Sequence, residues 1–275
     1  MPTERDIAGH YDRDGLLAAI LDAVRAAGLN PDRLRPADLA AVDEFHLGGP
    51  AATEALAADL GLAPEMRVLD IGSGLGGPAR HIATRCGCTV AGIDLTPAYV
   101  AIATDLTARC GLADRVTVRQ GSALDLPFEP GTFDAVTLLH VGMNIADKQH
   151  LFAGMRRMLK PGGLAGVYDI MRVGAGDIAW PMPWAAGPAT SFVEPPGAYT
   201  AALAAAGFEI VSETDCRQLA LDTARAARDR AERQGPSPLG LHLLTDDGTA
   251  RRFASLLRLV ADGILAPVQI VARAV

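Results

Sequence analysis

One ten-residue stretch, residues 68–77, constrains the possible folds of this chain more than any other. It reads VLDIGSGLGG, so an apolar run ends on an acidic residue and passes into glycines before a helical pattern begins. This order predicts a buried strand, a tight turn and the N-terminus of a helix. Glycines let the backbone approach a ligand closely, and a helix N-terminus offers unpaired N–H groups. We therefore predict a ligand-binding turn, with a purely structural turn as the alternative.

Apolar runs and helical patterns alternate from Met66 onward, and this alternation predicts an α/β fold with a parallel sheet. The apolar runs are nearly continuous, as expected for strands covered by helices on both faces. We predict strands at about 66–71, 88–93, 115–120, 133–139, 163–170, 208–214 and 266–273, and helices at about 16–27, 36–42, up to residue 60, 76–86, 97–110, 148–159, 197–206, 217–233 and 247–262.

The acidic residue before the turn decides between two kinds of ligand. Gly72, Gly74 and Gly77 fit G-x-G-x-x-G, which by itself is a weak signal for dinucleotide binding. A carboxylate at Asp70 would repel a pyrophosphate but suits a cation. S-adenosylmethionine carries an ammonium and a sulfonium group and has no phosphate.

At this point the chain resembles the class I S-adenosylmethionine-dependent methyltransferases, whose first motif is D/E-x-G-x-G followed by small residues. The resemblance implies a Rossmann-like, seven-stranded, mostly parallel sheet whose last two strands form an antiparallel edge. Here a helical insertion at 217–263 separates those two strands. The resemblance also implies that five residues of this stretch bind the cofactor: Asp70, Gly72, Ser73, Gly74 and Gly76.

Asp94 ends the second predicted strand, 24 residues after Asp70. A carboxylate only accepts hydrogen bonds, so at this strand end it suits the two ribose hydroxyls of a nucleoside. We predict that Asp94 and the adjacent Leu95 contact the cofactor. The alternative is an N-cap aspartate for the helix that begins near Pro97.

Residues 120–128, QGSALDLPF, resemble the third motif of the family, commonly G-D-A-x-x-L-P-F. The aspartate of that motif binds the adenine amino group in the family, and Ser122 stands at its position here. A hydroxyl can accept the same hydrogen bond, but without charge assistance the bond is weaker. We therefore predict that Ser122 and Ala123 contact the cofactor.

The fourth predicted strand leads into His140, Met143 and Asn144. Ligands of open α/β sheets bind beyond the carboxyl ends of the strands, where the methyl group would be delivered. If the acceptor is a hydroxyl or an acidic carbon, His140 is the first candidate for the general base and His46 the second, with Asn144 beside them. An amine acceptor needs no base. The alternative role for His140 is to line the methionine end of the cofactor.

Two outlying segments are predicted to form a lid over the strand ends. Residues 45–49, FHLGG, precede the first core strand, and residues 180–184, WPMPW, follow the fifth. With Tyr11, these segments resemble bacterial small-molecule methyltransferases related to the sarcosine and dimethylglycine N-methyltransferases and the ubiquinone-type C-methyltransferases. The substrate-binding candidates are Tyr11, His46, Met143, Trp180 and Trp184. The alternative is that the segments only cover the sheet.

Composition excludes several partners and sites. The net charge of −7 and the pI near 5.3, without a basic stripe, argue against nucleic acid. No uninterrupted apolar run reaches 18 residues, so no membrane span is expected. Four scattered cysteines, including the C-x-C of Cys86 and Cys88, favour free thiols over a disulfide framework or a metal site. We therefore expect a cytoplasmic enzyme without a metal; the oligomeric state is open, with a homodimer as one option.

The function predicted from these observations is methyl transfer from S-adenosylmethionine to a small-molecule acceptor at a nitrogen, oxygen or carbon atom. We predict one methyltransferase domain over residues 1–275, with a helical cap (1–62), a cofactor-binding core (63–215) and closing helices with a final strand (216–275). Two alternatives stay open at this stage, a nicotinamide-dependent oxidoreductase and a non-catalytic S-adenosylmethionine-binding protein.

Overall fold

Seven strands form one mixed sheet at the centre of the molecule. The computed structural model describes residues 15–244 and 248–275. The strands are β1 (Arg67–Ile71), β2 (Thr89–Asp94), β3 (Val116–Gln120), β4 (Phe133–Leu139), β5 (Leu159–Arg172), β6 (Phe208–Asp215) and β7 (Leu265–Ala274). Their order is β3-β2-β1-β4-β5-β7-β6, with β7 antiparallel to both neighbours and the other pairs parallel. The predicted fold class and antiparallel edge are thus confirmed.

The helices also follow the prediction closely, because all of them except the one at Lys148–Met158 have glycine or proline at one of their ends. In the described ranges, none of them is long and apolar enough to cross a lipid bilayer. They are α1 (Leu16–Ala26), α2 (Pro36–Asp43), α3 (Gly49–Asp59), α4 (Gly77–Cys86), α5 (Pro97–Arg109), α6 (Lys148–Met158), α7 (Pro196–Ala205), α8 (Arg217–Gln234) and α9 (Thr249–Ala261).

Strand β5 departs from the prediction at its beginning. It starts at Leu159 rather than near residue 163, because Leu159 already pairs with Phe133 of β4. The register then shifts, and the pairing resumes with Leu164 opposite Ala135. The segment predicted as a separate turn is therefore an irregular first part of the strand.

Alternate residues of the central strands pack on opposite faces of the sheet. Val68 of β1 lies in an apolar cluster with helix α4, whereas Leu69 and Ile71 lie in the cluster that includes α6 and α7. This alternation is the geometry of a strand with both faces covered. Because the helices cover the faces, the carboxyl ends of β1, β2, β3 and β4 remain at one edge, where a ligand can approach.

A buried arginine ties the N-terminal helices to the glycine turn. Arg80 of α4 is fully buried, and its Nη2 donates hydrogen bonds to Asp43 Oδ2 at 2.5 Å and to the carbonyl oxygen of Leu75 at 2.8 Å. Its Nη1 donates to Thr107 Oγ1 at 3.0 Å. The end of α2 and the turn after β1 are therefore held in one fixed arrangement.

Candidate active site

A cavity of about 360 Å³ lies beyond the carboxyl ends of β1 to β4. Its size is that of a small-molecule site, and its position is where open α/β sheets bind ligands. One side, which we name the strand-end wall, consists of residues 72–75, 93–95, 121–124 and 139–141. The other side, which we name the lid wall, consists of residues 45–47, 143–147, Pro183, Trp184, Phe192, Leu244, Phe253 and Leu256.

The glycine turn, residues 72–74, lines the cavity, and its backbone N–H groups already form hydrogen bonds within the protein. Gly72 and Ser73 both donate to the carbonyl oxygen of Ile93, at 2.8 and 3.0 Å. Gly74 donates to Asp94 Oδ2 at 2.8 Å. At Gly72 the φ of 72° and the position of Val141, 2.3 Å from an added Cβ, leave room only for glycine. The turn is rigid, and these three N–H groups are not free to bind a phosphate.

Asp94 presents an acceptor-only carboxylate to the cavity. Its Oδ2 accepts from Gly74, and its Oδ1 accepts from the N–H of Thr96 at 2.9 Å. Each oxygen keeps a second lone pair with which it can accept a ligand hydroxyl. Burial raises the pKa of Asp94, while these two N–H groups favour its ionised form. The N-cap of α5 is Thr96, so Asp94 is not the cap residue of that helix.

Asp70 does not line the cavity, which corrects the expectation that it lies directly beside a bound cation. Its side chain is buried, and Oδ1 accepts a hydrogen bond from Thr137 Oγ1 at 2.7 Å. The reason is register, because Asp70 and Thr137 face each other on neighbouring strands. Burial raises the pKa of Asp70 to about 6; Thr137 opposes the rise and the charge of Asp94 adds to it. The other carboxylate oxygen, Oδ2, is buried and has no hydrogen-bond partner among the described residues.

The segment after β3 forms a third part of the strand-end wall. Ser122 and Ala123 both line the cavity, as does Leu95 beyond β2. Ser122 Oγ accepts the N–H of Leu124 at 3.0 Å, which fixes the loop conformation. Asp125 is exposed and lies outside the cavity lining, so it does not replace the missing acid of the third motif.

His140 follows β4 in a left-handed backbone conformation with a φ of 53°. Its N–H donates to the carbonyl oxygen of Tyr168 at 2.7 Å, and its ring stacks on the Tyr168 ring at a centroid distance of 5.6 Å. Burial, with a smaller contribution from His46, lowers the pKa of His140 well below its usual value. Nε2 is buried and has no hydrogen-bond partner among the described residues. Such a non-glycine residue at positive φ is typical of functional sites.

His46 lines the cavity next to His140, and polar groups surround its Nε2. Its Nε2 is 3.0 Å from the carbonyl oxygen of Gly49 and 3.2 Å from Thr53 Oγ1. Thr53 donates to Glu44 Oε2 at 2.7 Å, and that oxygen lies 3.6 Å from His46 Nε2. Burial lowers the pKa of His46 to about 4. Burial, together with the charge of Asp43, raises the pKa of Glu44 to about 8.

The remaining predicted site residues divide into those on the cavity and those away from it. Met143 and Asn144, around the 3₁₀ turn Gly142–Asn144, line the cavity, and so does Trp184, whose Nε1 donates to Ser191 Oγ at 3.0 Å.

Two predicted residues are not part of the cavity lining, and a third cannot be placed. Gly76 has a φ of 81° and precedes α4 as its N-cap, where an added Cβ would meet Arg80. Trp180 is not in the lining, although it packs against the apolar cluster that contains Trp184 and Met143. Tyr11 lies outside the described residues. The expectations of direct contact for Gly76 and Trp180 are therefore not met.

Sequence reasoning missed part of the lid wall. Phe253 and Leu256 of α9, together with Phe192, line the cavity, although they lie far from the recognised motifs. The apolar stripe of α9 was visible in the sequence as a helical pattern, but nothing in the pattern indicates which surface it covers. Among the described residues, no group of three or more metal-ligating side chains is placed to hold an ion.

Comparison with known proteins gives the family of the central segment. Residues 68–163 match the family described as "Methyltransferase domain". The chain is 37% identical over 114 residues to sterol 24-C-methyltransferase ERG6B of Gibberella zeae, over 42% of this chain and 30% of that protein. It is 38% identical over 117 residues to erythromycin 3''-O-methyltransferase of Saccharopolyspora erythraea, over 42% of this chain and 38% of that protein. The chain thus spans less than two fifths of the length of these curated relatives.

Solved structures share the fold over the whole chain. Geranyl diphosphate C-methyltransferase from Streptomyces coelicolor A3(2) superposes with a TM-score of 0.71 and 21% identity, over 100% of this chain and 99% of that chain. The [4+2]-cyclase SpnF superposes with a TM-score of 0.65 and 24% identity, over 99% of this chain and 97% of that chain. Because a cyclase and a methyltransferase both have this fold, the fold alone does not fix the reaction. Residues 68–163 therefore form a methyltransferase domain, and the chain has the class I fold of the S-adenosylmethionine-dependent methyltransferases.

Proposed function

We propose that this chain transfers the methyl group of S-adenosylmethionine to a small-molecule acceptor, and that residues 1–275 act as one methyltransferase domain. The observation that carries the proposal is the strand-end wall, where the half-buried Asp94 carboxylate lies beside a glycine turn whose N–H groups already form hydrogen bonds within the protein. Such a wall offers acceptors to hydroxyls and negative charge to a cation. A nucleoside that carries a sulfonium and an ammonium group fits both properties.

We assign the residues of the strand-end wall to the donor. Asp94 would accept the ribose hydroxyls, while Ser122, Ala123 and Leu95 would contact the adenine. The backbone of residues 72–74 would pass close to the donor, with the Asp70 charge behind it. Bound there, the donor supplies a methyl group on sulfur, which is an excellent leaving group, so the protein has to hold the acceptor in line and exclude water.

The properties of the strand-end wall argue against a nicotinamide dinucleotide. A pyrophosphate in a Rossmann-type site binds the N–H groups of the glycine turn and the helix N-terminus. Here Gly72, Ser73 and Gly74 donate their N–H groups to Ile93 and Asp94. Among the described residues that line the cavity there is also no lysine or arginine to balance two phosphate charges.

We assign the lid wall to the acceptor, with His46, Met143 and Trp184 as contacts and with His140, Asn144 and His46 as candidate catalytic residues. Aromatic and aliphatic side chains dominate this wall, which suits an acceptor with a large apolar surface. The sterol, erythromycin and geranyl diphosphate named for the relatives and structural neighbours are acceptors of this general kind.

We also propose a cytoplasmic location and a small molecule, rather than a nucleic acid, as the partner. All four cysteines lie in the described part of the chain and are free thiols, which supports a reducing compartment. The acidic net charge of −7 supports the absence of a nucleic-acid partner. A homodimer stays a prediction that light scattering of the purified chain would test.

The test of the proposed function is formation of S-adenosylhomocysteine by the purified chain. The assay supplies S-adenosylmethionine carrying a labelled methyl group and a panel of neutral phenols, alcohols and amines. We expect label in at least one acceptor, with an equal amount of S-adenosylhomocysteine. Binding of the donor without transfer to any acceptor would favour the non-catalytic alternative, and failure to bind the donor would contradict the proposal.

A further inference from the structure

Two histidines lie next to each other in the cavity lining, but only one of them has hydrogen-bonded polar groups behind its ring. The rings of His46 and His140 lie at a centroid distance of 5.8 Å, and both line the cavity. A histidine that acts as a base needs a group that orients its other ring nitrogen and stabilises the imidazolium. His46 has such groups in Gly49, Thr53 and Glu44, none of which lines the cavity.

The hydrogen bonds of His46 define which ring nitrogen can accept a proton. The carbonyl oxygen of Gly49, 3.0 Å from Nε2, can only accept, so Nε2 carries the hydrogen. The lone pair is then on Nδ1. None of the described residues forms a hydrogen bond to Nδ1. The proton-accepting nitrogen of the neutral ring is therefore Nδ1, on a residue that lines the cavity.

His140 lacks a comparable arrangement. Its Nε2 is buried without a hydrogen-bond partner among the described residues, and one face of its ring is covered by Tyr168. If His140 became an imidazolium, its Nε2–H would be buried without an acceptor among the described residues. The cost of burying that charge would remain uncompensated.

Several titratable and charged groups surround Glu44 and His46. Glu44 is faced by Thr53, by the Asp43–Arg80 ion pair and by His81 Nδ1 at 3.8 Å from Oε1. The charge of Asp70 also acts on Glu44. His46 is in turn faced by His81, His140 and Tyr168. Since Glu44 Oε2 lies 3.6 Å from His46 Nε2, the carboxyl group stands behind the ring, on the side where an imidazolium keeps its Nε2–H.

The lid wall points to the kind of molecule that would give up a proton here. Its described side chains include Phe45, Trp184, Phe192, Phe253 and Leu256, and within the described ranges it contains no lysine or arginine. An anionic acceptor would find no counter-ion on this wall. A neutral acceptor with a large apolar body and one hydroxyl group would find both an apolar surface and a base.

We propose that the acceptor is a neutral, largely apolar hydroxyl compound, that His46 rather than His140 takes its proton, and that Glu44 is the positioning residue behind His46. This inference rests on the proposed function. In the step, the acceptor O–H bond breaks and its proton passes to His46 Nδ1. The acceptor oxygen uses the freed electron pair to bond to the methyl carbon, and the electrons of the broken methyl–sulfur bond remain on sulfur, which becomes neutral.

Glu44 gives the arrangement a pH dependence that a purely structural residue would not produce. Burial holds the pKa of this carboxyl at about 8, so it is mostly neutral at pH 7 and becomes an anion above pH 8. An anion behind Nε2 makes Nδ1 a stronger base. Transfer to a hydroxyl should therefore rise with pH through about 8 in the wild-type chain, beyond the rise due to ionisation of the acceptor itself.

The first experiment measures transfer from S-adenosylmethionine to 2-naphthol and to tryptamine between pH 6.5 and 9. We expect His46→Gln to lower transfer to 2-naphthol by roughly 10²–10⁴-fold. We expect His140→Gln to lower it far less, and Glu44→Gln to remove the extra rise near pH 8. Donor affinity, measured for each variant, reports whether the fold is intact, and His46→Asn serves as a second variant. Equal loss in His140→Gln, full activity in His46→Gln, or transfer to tryptamine alone would overturn the inference.

The second experiment does not depend on turnover. Nitrogen NMR of the full chain labelled with ¹⁵N-histidine, with the His46 signals identified by their loss in His46→Gln, reports the tautomer. We expect a neutral ring with hydrogen on Nε2 at pH 7. Hydrogen on Nδ1, or a charged ring, would overturn the inference even if methyl transfer occurs. Bound donor without transfer to either probe would contradict the proposed function, while the tautomer would still decide the role of His46.

Discussion

The strand-end wall and the lid wall of the same cavity are built in opposite ways. The strand-end wall comes from one continuous family segment, within residues 68–163, and its polar groups are fixed by hydrogen bonds such as those between Asp94, Gly74 and Thr96. The lid wall is assembled mainly from segments on both sides of that region, and it is mostly apolar. This difference matches the proposed division of the cavity, with the donor on the strand-end wall and the acceptor on the lid wall.

The largest expected effect comes from Arg80, which joins the strand-end wall to the end of α2. Arg80→Met removes the partner of buried Asp43 and the hydrogen bond to Leu75, so we expect the free energy of unfolding to fall by about 3–5 kcal/mol. Urea denaturation measures the change. Arg85→Met is the matched control, because its ion pair with Glu54 is exposed and its loss should change stability by less than about 1 kcal/mol. Equal effects of the two substitutions would mean that the buried ion pair of Arg80 stabilises the fold no more than an exposed one.

A buried carboxyl group lies behind each wall, and the two differ in the pH range over which they affect stability. The pKa values rise from 3.8 to about 6 for Asp70 and from 4.5 to about 8 for Glu44, so the folded state binds both protons more tightly than the unfolded state does. The contribution of each protonated carboxyl group to the free energy of unfolding is therefore fully present below the ordinary pKa. It is lost as the pH rises through the pKa of the folded state.

Two substitutions separate these contributions. In the wild-type chain, ionisation of Asp70 lowers the free energy of unfolding by about 2–3 kcal/mol, and this decrease is nearly complete by pH 6. Asp70→Asn should abolish that decrease. It should leave the slope of the free energy of unfolding between pH 6.5 and 7.5 unchanged. Glu44→Gln should flatten the slope in that same interval. The measurement is the free energy of unfolding in urea at pH 4, 5, 6, 7 and 8. The same slope near pH 7 in both variants would show that the two carboxyl groups do not differ in this way.

Asp94 tests whether the strand-end wall holds the donor through hydroxyl groups. Asp94→Ala should weaken binding of S-adenosylhomocysteine by about 1–3 kcal/mol, because ligand hydroxyls would lose their acceptor. Asp125→Ala, at an exposed carboxylate outside the cavity lining, should leave the affinity unchanged. Calorimetry measures both, and an unchanged affinity in Asp94→Ala would remove the residue from the donor site.

The smallest expected effect concerns the departure from the third family motif. Ser122→Asp should tighten donor binding by about 1 kcal/mol if this position contacts the adenine amino group, because the new hydrogen bond would be charge-assisted. The carboxylate can also accept the N–H of Leu124 that Ser122 Oγ accepts now. Weaker binding in Ser122→Asp would mean that the adenine is recognised elsewhere.

The sequence was sufficient for the strand-end wall because local rules govern it. Strand periodicity and the rule that ligands bind beyond strand ends placed residues 72–74 and Asp94 at the cavity without knowledge of distant contacts. Asp70 shows the limit of these rules. Its carboxylate is buried against Thr137 of the neighbouring strand and is not part of the cavity lining, and neither fact follows from the local pattern.

The lid wall could be predicted only in part, because distant segments meet there. His46 and Trp184 line the cavity, whereas Trp180, four residues before Trp184, packs against the same apolar cluster as Trp184 without reaching the lining. The contact between His46 and His140 joins residues 94 positions apart, and Phe253 of α9 completes the wall from still farther along the chain. No local sequence pattern predicts contacts between such distant residues. The position of Glu44 behind His46 therefore follows only from the three-dimensional structure.

The most direct test is a calorimetric titration of the purified chain with S-adenosylhomocysteine and, separately, with NAD. If the strand-end wall is a site for the methyl donor, the first ligand binds with a dissociation constant of roughly micromolar size, or about −8 kcal/mol, and NAD releases no heat of binding. Binding of NAD without binding of S-adenosylhomocysteine would contradict the assignment of this wall, and with it the proposal that the chain is a methyltransferase.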